Sequence, residues 1–213
     1  MRTIVYVDGF NLYYGLLRGK PWLWLDLEKL ATMLLTDKYN ILEVKFFTAR
    51  IRNDRFAVMS PHDQACYFDV LTANPRIRII EGYYKMFRAK LPFAKEPCTS
   101  CDKVKYAVVW KTEEKKSDVN LAVEMVTDAY ENRADAMVLI SGDADHSAAL
   151  SIARYRHHKT TVVFNPHEGE CVELRQLSTF YKNIPRDLPA RCQLPEVVTL
   201  PNGRTIHRPP AWA

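Results

Sequence analysis

Apolar and polar residues follow one another along the chain in a pattern that predicts strands alternating with helices. Short apolar, β-branched runs are typical of buried strands and occur at residues 3–7, 44–49, 77–80, 136–140 and 160–164. Between these runs, apolar residues at helical spacing predict helices, for example over 25–35 and 119–130. This alternation indicates an α/β fold with a mostly parallel sheet and helices on both faces.

Two segments interrupt the alternation. Residues 85–112 are rich in Lys and Arg and predict a basic hairpin excursion from the sheet. The last helix of the sheet region is predicted over 173–180, and prolines become frequent after it. Two short β-type runs around Pro201-Asn202-Gly203 are typical of a small hairpin. We therefore predict one domain over 1–184, with the 85–112 hairpin inserted, and a C-terminal tail over 185–213.

Composition excludes some classes of protein. The chain has 213 residues, of which 47% are hydrophobic and 11% aromatic, which suffices for a large core and argues against disorder. The net charge of +5 is compatible with a polyanionic partner without requiring one. No apolar stretch is long enough to span a bilayer, so we expect no membrane association. A strand directly after the N-terminus argues against a signal peptide, and the odd number of cysteines, 5, favours a reduced, cytoplasmic protein.

Carboxylates follow two of the predicted strands. Asp8 follows the first strand, and Asp143 and Asp145 follow the fourth. Right-handed crossovers bring the carboxyl ends of parallel strands to one edge, where open α/β sheets bind ligands. Asp118, at the start of a predicted helix, is expected near the same edge. Each acid alone is equally typical of a helix cap or turn, but four around one cleft favour a divalent cation such as Mg²⁺.

Three sequence blocks occur in order along the chain: Val7-Asp8-Gly9-Phe10-Asn11, Glu114-Lys115-Lys116-Ser117-Asp118-Val119-Asn120-Leu121-Ala122 and Ser141-Gly142-Asp143-Ala144-Asp145. Together they resemble the signature blocks of NYN domains, the LabA-like branch of the PIN-like nucleases. The resemblance covers roughly residues 3–184. It implies a Rossmann-like, PIN-like sheet whose carboxylates bind Mg²⁺ or Mn²⁺ for the cleavage of RNA. It also implies a homodimer, because PIN-like domains often pair through one face.

The resemblance also implies roles for individual residues. Metal binding and catalysis are expected of the four acids Asp8, Asp118, Asp143 and Asp145. Of these, the last would bind through water or act as a base. Asn11 and Ser141 correspond to polar residues that fix the carboxylates or a phosphate oxygen of the substrate. The function predicted on this basis is a metal-dependent endoribonuclease acting on single-stranded RNA.

Further residues extend the predicted site. His146 stands where the family usually has an aromatic or apolar residue, and we expect a packing or helix-surface histidine. The alternative for His146 is a proton donor or an additional ligand for a softer metal. Arg50, Arg52 and Arg55 follow the second strand at the predicted active edge, and arginine suits phosphate contacts.

The predicted hairpin has its own candidate chemistry. Cys98 and Cys101 have the spacing of half a zinc site, but no second cysteine pair lies near them, which argues against structural zinc. The aromatic residues Tyr83, Tyr84, Phe87 and Trp110 would either stack on bases or pack as part of a solvated hairpin.

Two other functions compete with the nuclease. One is an RNA-binding or regulatory module with a weak or vestigial metal site, and the complete set of four acids favours the enzyme over it. The other is a small-molecule phosphatase, which would typically have two aspartates on its first strand, where this chain has only Asp8. The residues alone do not distinguish cleavage of RNA from cleavage of DNA.

Overall fold

The computed structural model describes residues 1–51, 60–93 and 106–212. The strands of its main sheet are β1 (Arg2–Asp8), β2 (Asn40–Ala49), β3 (Ile77–Pro92), β4 (Tyr106–Lys115), β5 (Ala136–Ile140), β6 (Thr160–Asn165) and β7 (Phe180–Asn183). They form a 7-stranded sheet in the order β4-β3-β2-β1-β5-β6-β7. Neighbouring strands are parallel except β3 and β4, which are antiparallel.

Helices connect most of these strands. They are α1 (Gly9–Leu12), α2 (Leu27–Leu34), α3 (Pro61–Thr72), α4 (Ser117–Tyr130), α5 (Ser147–Ser151), α6 (Val172–Leu177) and α7 (Leu188–Arg191). Turns of π-helix at Tyr13–Leu17 and Ile152–Arg156 continue α1 and α5, and short 3₁₀ turns lie at Ala144–His146 and Pro210–Trp212. Among the described helices, none has the length and apolarity needed to cross a membrane.

The sheet has an apolar core on each face. Successive side chains of a strand point to opposite faces, so Val5 and Val7 of β1 belong to the core shared with α2 and α3. Ile4 and Tyr6 belong to the core shared with α4 and α5. The predicted α/β architecture with helices on both faces of a mostly parallel sheet is therefore confirmed.

A charged cluster is buried within the second core. The Lys45 side chain of β2 is 0% exposed and lies 2.7 Å from Glu124 of α4. Its Nζ also contacts Asp128, which in turn accepts a 2.6 Å hydrogen bond from the Tyr6 hydroxyl. Arg133 lies 3.0 Å from the other oxygen of Asp128. Each buried charge thus has a partner of opposite sign, which offsets the cost of its desolvation.

The end of the sheet differs from the sequence prediction. The helix predicted over 173–180 ends at Leu177, and Phe180–Asn183 form β7 beside β6. Backbone pairing decides this, because the N–H of Thr179 donates to the carbonyl oxygen of Thr161 at 2.7 Å and leads the chain into the edge position. The prediction of a helix through residue 180 is wrong, since tertiary pairing overrides a short helical pattern.

The predicted hairpin is an antiparallel ribbon that extends the sheet. β3 and β4 pair from Tyr83 opposite Lys115 to Pro92 opposite Tyr106. The ribbon therefore begins two residues before the predicted start at 85 and ends three residues after the predicted end at 112. Residues 94–105, which include Cys98 and Cys101, lie outside the described part of the chain, as do 52–59.

The C-terminal tail packs on the sheet domain. Its strands β8 (Val197–Thr199) and β9 (Thr205–His207) form the predicted small hairpin. Trp212 is buried, and its ring lies 6.1 Å from Trp24 and 5.6 Å from Tyr67. The tail thereby adds to the core on the α2 and α3 face of the sheet.

Candidate metal centre

Three distant parts of the chain meet at the carboxyl edge of the sheet. Asp8 ends β1, Asp118 lies in the first turn of α4, and His146 ends the 3₁₀ turn after β5. Each offers one ligand atom, and these atoms all lie within 4.8 Å of one another. The structure thus brings two of the predicted acids, Asp8 and Asp118, together with the histidine.

Hydrogen bonds hold the Asp8 carboxylate in place. Its Oδ1 accepts from the backbone N–H of Asn11 at 3.0 Å, which caps α1. Its Oδ2 accepts from the Ser141 hydroxyl at 2.9 Å. Asp8 is only 4% exposed, so these donors replace water around a charge that would otherwise be costly to bury. The carboxylate is therefore fixed before any ligand binds.

The His146 ring is part of this arrangement. It is 0% exposed, and its Nε2 lies 3.3 Å from Asp8 Oδ2. Burial lowers the pKa of His146, but the hydrogen bond to Asp8 and the nearby carboxylates outweigh burial and raise the pKa overall. Of the two positions expected for this histidine, packing or helix surface, its burial agrees with packing and excludes the helix surface. The contact with Asp8 also places the ring in the site.

Asp118 completes the set and is partly exposed. Burial raises the pKa of its carboxyl, and the negative charge of Asp8 raises it further. Glu114 and Asp143 act in the same direction, whereas a charged His146 opposes them. The pKa of Asp118 is thus raised first by burial and then by neighbouring negative charge, and a bound cation would offset the second cause.

The loop before α4 positions Asp118. The backbone N–H and hydroxyl of Ser117 both donate to Glu114 Oε1, at 3.0 and 2.6 Å. Lys116, just before the helix, has a φ of 83°, in the left-handed region that non-glycine residues rarely adopt. Gly82 on β3 leaves the room for this loop, because a Cβ there would lie 2.8 Å from Ser117 Oγ.

The remaining predicted acids lie beside the set rather than in it. Asp143 Oδ1 accepts from the backbone N–H of Asp145 at 3.0 Å and so caps the 3₁₀ turn. Asp145 is exposed. Asp143 is partly buried, and its charge raises the pKa of both Asp118 and His146. Among the described residues, neither Asp143 nor Asp145 supplies an atom to the three-residue set.

Asn11 and Ser141 join the two loops at this edge. Asn11 Oδ1 accepts from the backbone N–H of Gly142 at 2.7 Å. Ser141 Oγ accepts from the N–H of Asp143 at 3.1 Å while donating to Asp8. Gly142 allows a close approach, because a Cβ would collide with the side chain of Asn165. Both polar residues therefore orient the site.

Of the three predicted arginines, only Arg50 lies in the described part of the chain. It follows β2 at the active edge, and its guanidinium forms a 2.9 Å ion pair with Glu81. The Arg50 side chain is 56% exposed. Arg52 and Arg55 lie outside the described residues, so their phosphate contacts stay predictions.

An apolar cavity of ≈ 300 Å³ opens at the same edge of the sheet. Gly9 and Phe10, directly after Asp8, line it together with residues of β2, α3 and the ribbon. Aromatic rings from Tyr67, Phe68 and Trp212 form much of its wall. The acid cluster and an aromatic cavity thus share the α1 turn.

The family model of the NYN domain matches residues 2–182. The chain belongs to the NYN domain family. Its match spans the whole sheet and all three resembling blocks, which confirms the family and the PIN-like fold expected from them. The NYN blocks also contain Asp8 and Asp118, the two acids that converge in the structure.

This NYN protein is similar to one known protein in sequence and to another in fold. It is 33% identical, over an alignment 237 positions long, to the 6-hydroxy-3-succinoylpyridine 3-monooxygenase HspA of Pseudomonas putida, covering 100% of this chain and 75% of the relative. It is also similar to the crystal structure of a protein of unknown function from Vibrio parahaemolyticus, with a TM-score of 0.53 and 16% identity. That match covers 87% of this chain and 94% of the other, and shows the fold alone.

Sequence reasoning gave His146 a minor place in the site. One histidine beside an aspartate is common and does not by itself indicate a ligand. The available signal is its position, six residues after the buried strand β5, whose neighbour β1 ends in Asp8. Glu114, inside the second NYN block, was not singled out, although it fixes the loop before Asp118.

Proposed function

We propose that this protein is a metal-dependent endoribonuclease that hydrolyses RNA phosphodiester bonds. The observation that carries the proposal is the convergence of Asp8, Asp118 and His146, whose ligand atoms lie within 4.8 Å of one another. Membership of the NYN family, within a nuclease-like superfamily, supports it. Ser141 hydrogen-bonds to Asp8, and Asn11 hydrogen-bonds to the loop after β5, so the positions of the ligands are fixed before a metal binds.

The donor set fits a divalent cation. Carboxylate oxygens suit Mg²⁺ and Mn²⁺, whereas imidazole nitrogen is a ligand of transition metals. A mixed set of two carboxylates and one imidazole therefore favours Mn²⁺ over Mg²⁺. Burial is the main reason why the pKa of Asp118 is raised, and the negative charge of Asp8 adds to it; a cation at this point would offset that repulsion.

Each residue would then have a defined task. Asp8, Asp118 and His146 would hold the ion, and Ser141 would keep the Asp8 carboxylate aimed at it. A bound ion activates water and stabilises negative charge on a phosphodiester. Asp145 is exposed beside the set and would accept the proton released from that water. Asp143, which orients the Asp145 backbone, would add negative charge that attracts the cation.

The substrate is proposed to be single-stranded RNA in the cytoplasm. The net charge of +5 supports a polyanionic partner. The ribbon adds exposed cation–aromatic pairs, with Arg88 5.9 Å from the Trp110 ring and Lys90 5.0 Å from the Tyr106 ring. Such pairs suit a strand whose bases stack and whose phosphates meet positive charge. An RNA-binding module with a weak metal site would share this surface but would not cleave.

Cleavage of end-labelled single-stranded RNA and DNA by the purified protein tests the proposal. Wild-type protein should cut RNA with Mn²⁺ or Mg²⁺ and stop with EDTA. Asp118→Asn should be inactive, whereas Asp37→Asn, an exposed acid in the loop before β2, should cut like the wild type. Equal cleavage by Asp118→Asn, or cleavage that survives EDTA, would refute the metal mechanism. Salt-sensitive RNA binding without cleavage would support the binding module instead.

A second candidate function comes from the relative whose name describes a monooxygenase acting on 6-hydroxy-3-succinoylpyridine. The observation that favours it is the aromatic cavity beside Asp8, whose size and apolar wall suit one substituted ring. Oxygen consumption on addition of that pyridine and a reduced nicotinamide as electron donor tests it. Substrate-dependent oxygen uptake would establish the monooxygenase activity. No oxygen uptake by a preparation that cleaves RNA, and is therefore active, would exclude it.

A further inference from the structure

The cavity at the carboxyl edge shares the α1 turn, which Asp8 caps, with the acid site. It is lined by α1 and the following π-helical turn, by the ends of β2, by α3 and by the ribbon strands β3 and β4. Its volume of ≈ 300 Å³ lies at the small end of ligand pockets. That size suits one ring system rather than an extended ligand.

The walls are aromatic. The rings of Phe10 and Tyr84 meet edge to face at 5.8 Å on the ribbon side. On the other side, Tyr67 lies 5.6 Å from Trp212 and Phe68 lies 6.4 Å from Phe46. Aromatic side chains on opposite walls can contact a flat ring by stacking and by edge-to-face packing. The shape and chemistry of the wall therefore select a planar aromatic ligand.

Hydrogen bonds hold the wall in place. The Tyr67 hydroxyl donates to the carbonyl oxygen of Leu25 at 2.6 Å. The side chain of Gln64 accepts from the N–H of Ile51 at 2.8 Å and donates to the carbonyl oxygen of Ala49 at 3.0 Å. Because these polar groups are already paired, the cavity is preformed and its paired groups do not demand a charged ligand.

The polar groups that line the cavity are uncharged. Among the described residues, the lining contains no charged side chain. Burial raises the pKa of Tyr84 to about 12, so its hydroxyl stays protonated at neutral pH. A neutral hydroxyl can donate to or accept from a ring heteroatom or a ring substituent. An uncharged heterocycle is therefore favoured over a hydrocarbon or an anion.

The cavity is tied to the acids through the backbone. Gly9 lines the cavity and directly follows Asp8, and a Cβ at Gly9 would lie 2.7 Å from the carbonyl oxygen of Phe47. Thr48 also lines it, and its carbonyl oxygen lies 3.5 Å from the hydroxyl oxygen of Ser117, the neighbour of Asp118. A ring in the cavity would thus lie beside the residue that follows Asp8, whereas Thr48 and Ser117 would separate it from Asp118.

We propose that this cavity binds a single planar, uncharged heteroaromatic ring. The ring comes either from a free small molecule, as the second candidate function requires, or from a nucleobase of the strand at the metal site, which rests on the proposed nuclease function. In both cases the ring enters the aromatic cavity while the rest of the ligand reaches toward the acids. By binding the ring, the cavity would determine which part of the ligand lies next to the metal site.

Calorimetric titration of metal-free protein in EDTA tests the proposal without requiring cleavage. The probes are 2-hydroxypyridine for a free ring and adenosine for a nucleobase. Tyr84→Ala removes one wall and should weaken binding by about tenfold, the loss expected for one aromatic contact and its hydrogen bond. Tyr130→Ala is the control, because Tyr130 is exposed at the end of α4 and does not line the cavity.

A second variant covers the case in which Tyr84→Ala misfolds. Thr112 is exposed on β4 and lines the cavity, so Thr112→Trp should fill it and abolish binding while the protein stays folded. Binding of 2-hydroxypyridine alone would assign a small-molecule ring, and binding of adenosine alone would assign a nucleobase. Binding of neither probe, or equal binding by wild type and Thr112→Trp, would overturn the proposal. RNA cleavage measured in parallel shows separately whether the nuclease function holds.

Discussion

His146 Nε2 lies 3.3 Å from Asp8 Oδ2, with both side chains buried at the edge of the sheet. The same carboxylate oxygen accepts the Ser141 hydroxyl at 2.9 Å. Within the described residues, the other ring nitrogen, Nδ1, is buried without a hydrogen-bond partner. The contact with Asp8 therefore orients the buried ring.

The three-residue set predicts an order of effects among the acids. Asp118→Asn should lower metal-dependent RNA cleavage by more than about 100-fold, because it removes a direct ligand. Asp145→Asn should lower cleavage less, because the exposed Asp145 is proposed to act on water from outside the set. Single-turnover rates at saturating Mn²⁺ measure both effects. A larger loss in Asp145→Asn would contradict the proposed roles.

Ser141 is a positioning residue, and its loss should affect metal binding more than folding. Ser141→Ala removes the 2.9 Å hydrogen bond to Asp8. Loss of such an outer partner typically costs about 10–100-fold in metal affinity or activity. The apparent Mn²⁺ affinity, read from the metal dependence of the cleavage rate, should fall accordingly and the maximal rate should fall less. Ser151→Ala in α5 serves as the control, and an unchanged metal dependence in Ser141→Ala would argue against this role.

The buried charge cluster predicts a large stability effect far from the site. Lys45→Met leaves Asp128, whose side chain is 1% exposed, without its closest positive partner. Removing one member of a buried ion pair costs about 3–5 kcal/mol of the free energy of unfolding. Urea denaturation measures this loss. The double variant Lys45→Met with Asp128→Leu should recover much of it, and a double variant as unstable as the single one would mean that packing rather than charge is responsible.

Glu124 predicts how stability depends on pH. Burial raises the pKa of its carboxyl, but hydrogen bonds from Lys45 and Arg78 outweigh burial and lower the pKa below 4.5. A carboxyl with a lowered pKa in the folded state stabilises the protein above its unfolded pKa, and this contribution is lost as the pH falls. Glu124→Gln should therefore lose less of its free energy of unfolding than the wild type between about pH 6 and pH 3. Exposed Glu131→Gln provides the comparison, and parallel curves for wild type and Glu124→Gln would contradict the assignment.

Much of the fold could be predicted from local pattern. The buried strands are short β-branched runs, and their order with the intervening helices fixes a mostly parallel sheet with its carboxyl ends at one edge. The edge strand β7 could not be predicted in this way. Its residues continue a helical pattern from α6, and only pairing with β6 makes Phe180–Asn183 a strand.

The sequence predicted that the site lies at the carboxyl edge of the sheet, and it identified two of the three residues there, Asp8 and Asp118. Asp8 and Asp118 could be placed together because strand ends and helix starts converge there. The sequence could not decide between Asp145 and His146, which are neighbours in the chain. Their positions in a 3₁₀ turn send one side chain to solvent and bury the other against Asp8. A 3₁₀ helix has about three residues per turn, so neighbouring side chains point in different directions, and residue types alone do not determine which one faces Asp8.

The central claim is that Asp8, Asp118 and His146 form one metal site. Electron paramagnetic resonance of Mn²⁺ added to metal-free protein measures this directly, because bound and free Mn²⁺ give different signals. We predict one tightly bound ion per chain in the wild type and in Asp37→Asn, and loss of that ion in Asp118→Asn. Wild-type protein that binds no Mn²⁺, or an Asp118→Asn variant that binds it as tightly as the wild type, would contradict the account.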